Sequence, residues 1–331
     1  MKNPNTHKNA NARALKKVNG TLTHNRKTST PKTANLNVPH LKSDARTMLY
    51  GNQDEVAQLI GKIEFKDQWI HVVKGSTWYQ WAGTYWHQDL KAGGFDTIRK
   101  GIRTAIKRMN SWVKQMLRNG GLSNKDQKKL VSDAGKADLA KRAKHYISDI
   151  YALVSKDDDY TIAPGAFDAD PNHLGTPEGT VDLTIPDFIS ADPCHYISRQ
   201  TICAPAKGEP DRWLQFLDEI FAGDQGVIDF IQRLCGYALT GQTREEKLFF
   251  LYGSGANGKS KFLETLTYIW NNYATRIAPT TLLNKRFSDH STEIAKLAGA
   301  RLVLGSELPT GEIWDDQKLK ELTGGDTLTA R

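Results

Sequence analysis

The sequence predicts an α/β protein in three parts. A disordered basic tail covers residues 1–45, a smaller α+β domain covers 46–210, and a nucleotide-binding domain with a parallel sheet covers 211–331. Three observations predict this. The first 45 residues are mostly Asn, Thr, Lys and Pro with few large apolar groups, too little buried surface to offset chain entropy. Residues 69–118 pass from an aromatic strand pattern to a helical one. A five-residue apolar run at 248–252 leads into a glycine-rich loop and then a helical pattern, the order expected of a phosphate-binding strand–loop–helix unit.

The basic tail is part of a wider charge segregation. Residues 1–46 hold ten Lys/Arg and one acid, Asp44, for +9. Residues 91–144 hold fifteen Lys/Arg and four acids, for +11, so the remaining residues carry −12 against the net +8. Basic blocks favour phosphate backbones through counterion release, although a solvated helix face gives the same pattern. With 39% hydrophobic residues, the rest can bury a core. No run approaches the roughly 18 apolar residues of a membrane span, and the N-terminus lacks the apolar stretch of a secretion signal. Cys194, Cys203 and Cys235 are far apart and odd in number, which predicts reduced thiols in a cytoplasmic protein.

In the second part, Trp69, Trp78, Tyr79, Trp81, Tyr85 and Trp86 alternate with polar residues around Gly75 and Gly83. The pattern predicts short antiparallel strands whose aromatics form a small core. Base stacking is the competing use. Ile98, Ile102, Ile106, Met109, Val113 and Met116 then recur at steps of three and four, and Asn119-Gly120-Gly121 stops the helix. A second helical region is predicted from about Asp126 to Ser155. Turn-rich strands follow over 167–198, marked by Pro171-Asn172, Pro177-Glu178-Gly179 and Asp192-Pro193. His71, His87, His145, His173 and His195 show no metal-ligand spacing.

The third part opens with a helical stretch at 212–238 and a strand at Leu248–Tyr252. Gly253-Ser254-Gly255-Ala256-Asn257-Gly258-Lys259-Ser260 then fits G-x-x-x-x-G-K-[ST], with a helix expected from Lys261 to Trp270. Glycines let backbone N–H groups approach phosphate oxygens, and the helix dipole points at the same anion. Lys259 would face the β and γ phosphates of ATP, and the Ser260 hydroxyl would be a Mg²⁺ ligand. Downstream, Gly299–Glu307 is predicted to be a strand ending in an acid. Glu307 there would hold the metal or polarise the attacking water. His290, Glu293 and Lys296 are read as surface or structural residues.

The Ala256-Asn257-Gly258-Lys259-Ser260 variant resembles the superfamily 3 helicases. The lead-in Phe230–Gly241 resembles phage and plasmid primase–helicases, as do Asp168-Ala169-Asp170-Pro171 and Gly179-Thr180-Val181-Asp182-Leu183, which resemble the poxvirus-type domain that precedes the ATPase. The resemblance covers roughly residues 70–331. It implies an AAA+-like P-loop NTPase that hydrolyses ATP, forms a ring, most often a hexamer, and translocates single-stranded or forked DNA. A primase and other replication proteins are implied partners, and no membrane is. Lys318–Arg331 resembles the family motif that builds a DNA-facing hairpin, which would make Lys320 and Arg331 phosphate contacts. Family members often carry two acids where this chain has Ser306-Glu307. A sensor Asn and an arginine supplied to the neighbouring subunit would follow Arg331. The sheet is therefore expected to be incomplete, with slow ATP turnover and no unwinding by residues 1–331. The competing readings are a nucleotide-gated DNA-binding or loading module and, more weakly, a small-molecule P-loop kinase.

Overall fold

The structure, a computed structural model, describes residues 43–283, 291–306 and 311–325. The predicted tail lies outside these except for its last residues. Ser43, Asp44 and Ala45 open helix α1 (Ser43–Tyr50), and Ala45 is buried. Helix α2 (Gln53–Glu64) starts at a capping box: the Asn52 side chain accepts from Glu55 N, and the Glu55 carboxylate accepts from Asn52 N. Neither helix was anticipated, although Asn52 with Glu55 is a legible start signal.

The aromatic run folds as expected, into β1 (Trp69–Val72), β2 (Thr77–Trp81) and β3 (Trp86–Gln88). These strands are antiparallel, and β4 (Thr161–Ile162) joins β1 in parallel to give the order β3-β2-β1-β4. Trp69, Trp78 and Trp86 are core, whereas Tyr79, Trp81 and Tyr85 are half-buried. Phe65 is fully buried and meets Trp78 edge-on at 5.0 Å between ring centroids. Trp78 Nε1 donates to Tyr151 Oη at 2.9 Å, and Trp86 Nε1 donates to the Pro193 carbonyl at 2.9 Å. An indole is stable inside only with its N–H partnered, and these partners remove both rings from any role in stacking bases.

Helix α3 (Gly93–Asn119) is the spine of this half. Ile98, Ile102, Ile106 and Met109 are fully buried against α1, α2, α4 (Asn124–Lys141) and α5 (Lys144–Val154). The single helical region expected over 126–155 is these two helices, parted at Arg142-Ala143. A second antiparallel meander, β5 (His173–Thr176), β6 (Gly179–Asp182) and β7 (Asp187–Ile189), follows.

The predicted helix at 212–238 is likewise two, α6 (Asp211–Phe221) and α7 (Gln225–Leu239). Ala222 and Gly223 turn left-handed, with φ of 52° and 75°, and the Asp224 side chain caps α7 by accepting from Val227 N. Helix α8 (Lys259–Trp270) comes next. Strands β8 (Ala274–Ile277) and β9 (Leu302–Gly305) then pair in parallel, the helices α9 (Ser291–Ala295) and α10 (Asp316–Thr323) lying in sequence between and after them. The architecture is mixed α/β with small sheets. Among the described residues, no helix is long and apolar enough to cross a membrane.

The expected strand at Leu248–Tyr252 is absent. The segment carries no strand pairing, and all five residues are exposed, Phe250 at 71% and Tyr252 at 85%. A strand needs a neighbour about 4.7–4.9 Å away. Here Leu248, Phe249 and Leu251 line a cavity of about 700 Å³ together with Leu302, Val303 and Leu304 of β9. An apolar run reports a liking for burial; it does not report whether a strand edge is within reach.

His71, on β1, gives a test of the first half. It is 4% exposed, and burial lowers its pKa below the ordinary 6.5, opposed more weakly by the Ser155 backbone. The unfolded chain therefore takes up the proton first as the pH drops. Stability is fully present above pH 6.5 and is lost as the pH falls below that value toward the folded-state pKa. His71→Gln should flatten the decline in melting temperature between pH 7 and 5. An unchanged decline would assign the acid sensitivity to other groups.

Candidate functional site

The glycine-rich loop Gly253–Ser260 is exposed, except that Asn257, Gly258 and Lys259 are half-buried. It ends at Gly258, which caps α8 with a left-handed φ of 83°. Gly255 at φ 90° and Ala256 at φ 47° are left-handed as well, a geometry that turns successive N–H groups toward one side and builds an anion-binding concavity. The first helical bond runs from Phe262 N to Gly258 O at 2.9 Å. The N–H groups of Lys259, Ser260 and Lys261 thus have no partner within the helix and stand at its positive end.

Helix α8 begins where the sequence requires it, because Phe262 and Leu266 are buried against Leu217 and Ile231, with Trp213, Phe216 and Ile220 alongside. Trp213 stacks on Phe262 at 5.7 Å. This packing sets α6 directly behind the loop. A Cβ added to Gly258 would lie 2.3 Å from Ile220 Cγ2, so the close approach of α6 demands glycine there. Lys259 Nζ donates to Asn257 Oδ1 at 2.7 Å. That contact holds the ammonium over its own loop without neutralising it. Ser260 is exposed in the first turn of α8. Backbone donors, a helix N-terminus and an ammonium with a neutral partner suit the phosphates of a nucleotide, and the Ser260 hydroxyl suits a hard divalent cation.

The other predicted site residues are dispersed or beyond view. Strand β9 forms within the expected 299–307 segment, but Glu307 lies outside the described residues, as does Arg331. Lys320 is described and exposed, on α10. Residues 316–323 are helical, with Asp315 capping through Lys318 N, so the first residues of the Lys318–Arg331 motif lie on a helix. The large cavity is lined by Leu248, Leu251, Leu266 and Leu304 among others and does not include the glycine-rich loop.

A cluster that sequence reasoning missed ties the site to the preceding domain. Arg301, immediately before β9, donates through its guanidinium to the carbonyls of Leu239, His173 and, at 3.3 Å, Pro171. It lies 4.6 Å over the Tyr273 ring. Tyr273 is fully buried; its hydroxyl accepts from Gly175 N at 2.9 Å and donates to Arg199 O at 3.0 Å, and burial pushes its pKa up to about 12. Arg199 donates in turn to the carbonyls of Asn272 and Ala298. Asp168 accepts from Ser198 N at 2.9 Å and from the Ser198 hydroxyl. The meander β5–β7 is thereby fastened to the α8–β8 junction and to the root of β9. The only sequence hint was Arg301 standing at the mouth of an apolar strand.

The chain is 36% identical over 110 residues to a putative helicase of Acanthamoeba polyphaga mimivirus, a stretch that covers 33% of this chain and 12% of the viral protein. The chain thus spans a small part of that relative's length. Residues 59–222 match the family described as D5 N terminal like, a span that holds the aromatic sheet, the α3 spine, the β5–β7 meander and α6. A D5 N terminal like domain is therefore present at residues 59–222 of this chain.

Proposed function

We propose that this chain is the nucleotide-binding portion of an ATP-driven DNA helicase of the primase–helicase type, acting in replication. The observation that carries the reading is the glycine-rich loop. Its left-handed backbone, the α8 N-terminus and Lys259 lie within one short segment, downstream of the stretch that matches the D5 N terminal like family. In this reading the N–H groups of residues 259–261 and the Lys259 ammonium hold the β and γ phosphates of ATP. Ser260 holds Mg²⁺, which would offset charge on the phosphates when bound. Glu307 orients the attacking water, and Lys320 and Arg331 contact single-stranded or forked DNA. Ring assembly, most often hexameric in proteins that this chain resembles, belongs to the same proposal.

The test is ATP hydrolysis with and without single-stranded DNA. Phosphate release should be Mg²⁺-dependent, should rise with DNA, and should fall to background in Lys259→Ala. Hydrolysis by Lys259→Ala at the wild-type rate would remove the loop from the chemistry.

A further inference from the structure

We propose that the solvent face of α3 is a docking surface for the sugar–phosphate backbone of duplex DNA, separate from the nucleotide loop. Arg103, Lys107, Lys114 and Arg118 are all exposed. At 3.6 residues per turn they fall within an arc of about 60°, opposite the buried Ile102, Ala105, Met109 and Trp112 face. They run along about 22 Å of helix at 1.5 Å per residue.

Some nearby cations are engaged, whereas Arg108 of α3, about 80° round the helix from the stripe, and Lys125, Lys128, Lys129 and Lys136 of α4 are exposed as the stripe is. Arg99 and Lys100 pair with Asp96, Arg142 pairs with Asp138, and Lys141 is buried on the Gly51 carbonyl and Tyr146. None of the four stripe residues has an acidic partner among the described residues. Asp96 is the only acid in the 27 residues of α3. Arg103–Lys107 and Lys114–Arg118 are i,i+4 pairs of like charge, which weaken a helix. A face that served only solvation would gain from interspersed acids; this one stays purely cationic.

The residues between the cations choose the partner. Thr104, Ser111 and Gln115 are exposed donors fit for phosphate oxygens. No aromatic residue lies among them, so the face offers no platform for unstacked bases. A straight cationic ridge without such platforms suits a duplex, whose charge density is one per about 1.7 Å of axis. The inference rests on the helicase reading only for the identity of the polyanion.

The experiment is binding of the whole chain to a random-sequence DNA duplex across a salt series. Wild type is compared with Arg103→Gln/Lys107→Gln/Lys114→Gln/Arg118→Gln, and with a control of equal charge change on α4, Lys125→Gln/Lys128→Gln/Lys129→Gln/Lys136→Gln. Removing four phosphate contacts should make the slope of log K against log salt shallower by about 3–4 and lower affinity at least tenfold at moderate salt. The α4 control should shift the slope by less than about one. Arg103→Lys/Arg118→Lys, which keeps the charge, should bind as wild type does, and unchanged melting of each variant excludes misfolding. Equal losses from both quartets, or no loss from the α3 quartet, would overturn the proposal. So would stripe-dependent binding to phosphatidylglycerol–phosphatidylcholine vesicles that exceeds duplex binding. Lys259→Ala should leave duplex affinity without ATP intact, so failure of the nucleotide reading is seen separately.

Discussion

Arg301→Ala should lower the melting temperature by about 5 °C or more, an effect unusual for a half-buried residue. The guanidinium satisfies three carbonyls from two different parts of the chain, Leu239 on α7 and Pro171 and His173 around β5. Hydrogen bonds to a charged group contribute about 1.5–3 kcal/mol each, and the abandoned acceptors keep their desolvation penalty. The contributions are not additive, so the total is about 3 kcal/mol or more. Stacking over Tyr273 adds to it. Arg301→Lys should recover less than half of the loss, because an ammonium lacks the planar fork that addresses three separated acceptors. Tyr273→Phe loses the bonds to Gly175 and Arg199 and should cost about 1–2 kcal/mol. Thermal melting checks all three. Wild-type stability in Arg301→Ala would mean that this cluster does not fasten the meander to the root of β9.

Gly258→Ala should be the most damaging single-methyl change in the glycine-rich loop. The residue sits at φ 83°, where a Cβ costs about 1–2 kcal/mol. The new methyl would also lie 2.3 Å from Ile220 Cγ2, and forced overpacking adds about 1–3 kcal/mol. Either α6 or the loop must move, and moving the loop misaligns the N–H groups at the start of α8. Gly255→Ala is the matched control. Its φ is 90°, yet no atom stands within 4 Å of an added Cβ, so it should suffer only the backbone strain. Ile220→Ala in the Gly258→Ala background should restore part of the lost stability by making room. Equal damage from the two glycine substitutions, with no rescue by Ile220→Ala, would show that the contact with α6 is unimportant.

The parts of this fold that were legible from sequence are those set by local chemistry. The aromatic alternation of 69–86 became three antiparallel strands, and the apolar positions from Ile98 to Val113 became the buried face of α3. The glycine-rich loop was located to the residue, because its glycines, Lys259 and the α8 periodicity are contiguous. The failures share a cause: each depended on something distant or on a small capping signal. Leu248–Tyr252 has strand composition, but strand formation requires a partner edge. The breaks at Arg142-Ala143 and Ala222-Gly223 are decided by one or two residues inside otherwise helical patterns. Arg301, Tyr273 and Arg199 interact across about 70 to 130 positions of sequence, a distance over which periodicity carries no information. The basic character of 91–144 was visible, whereas the sorting of its cations into paired and unpaired ones required the folded helix.

Equilibrium binding of a fluorescent ATP analogue, with and without Mg²⁺, tests the central claim most directly, because it needs neither DNA nor turnover. The wild-type chain should bind it saturably, with affinity strengthened by Mg²⁺ and competed by ATP. Lys259→Ala, which removes the ammonium from the phosphates, should bind at least about tenfold more weakly, the equivalent of one charge-assisted contact. A folded wild-type chain that shows no saturable binding, or a Lys259→Ala chain that binds undiminished, would contradict the assignment of Gly253–Ser260 as a nucleotide site.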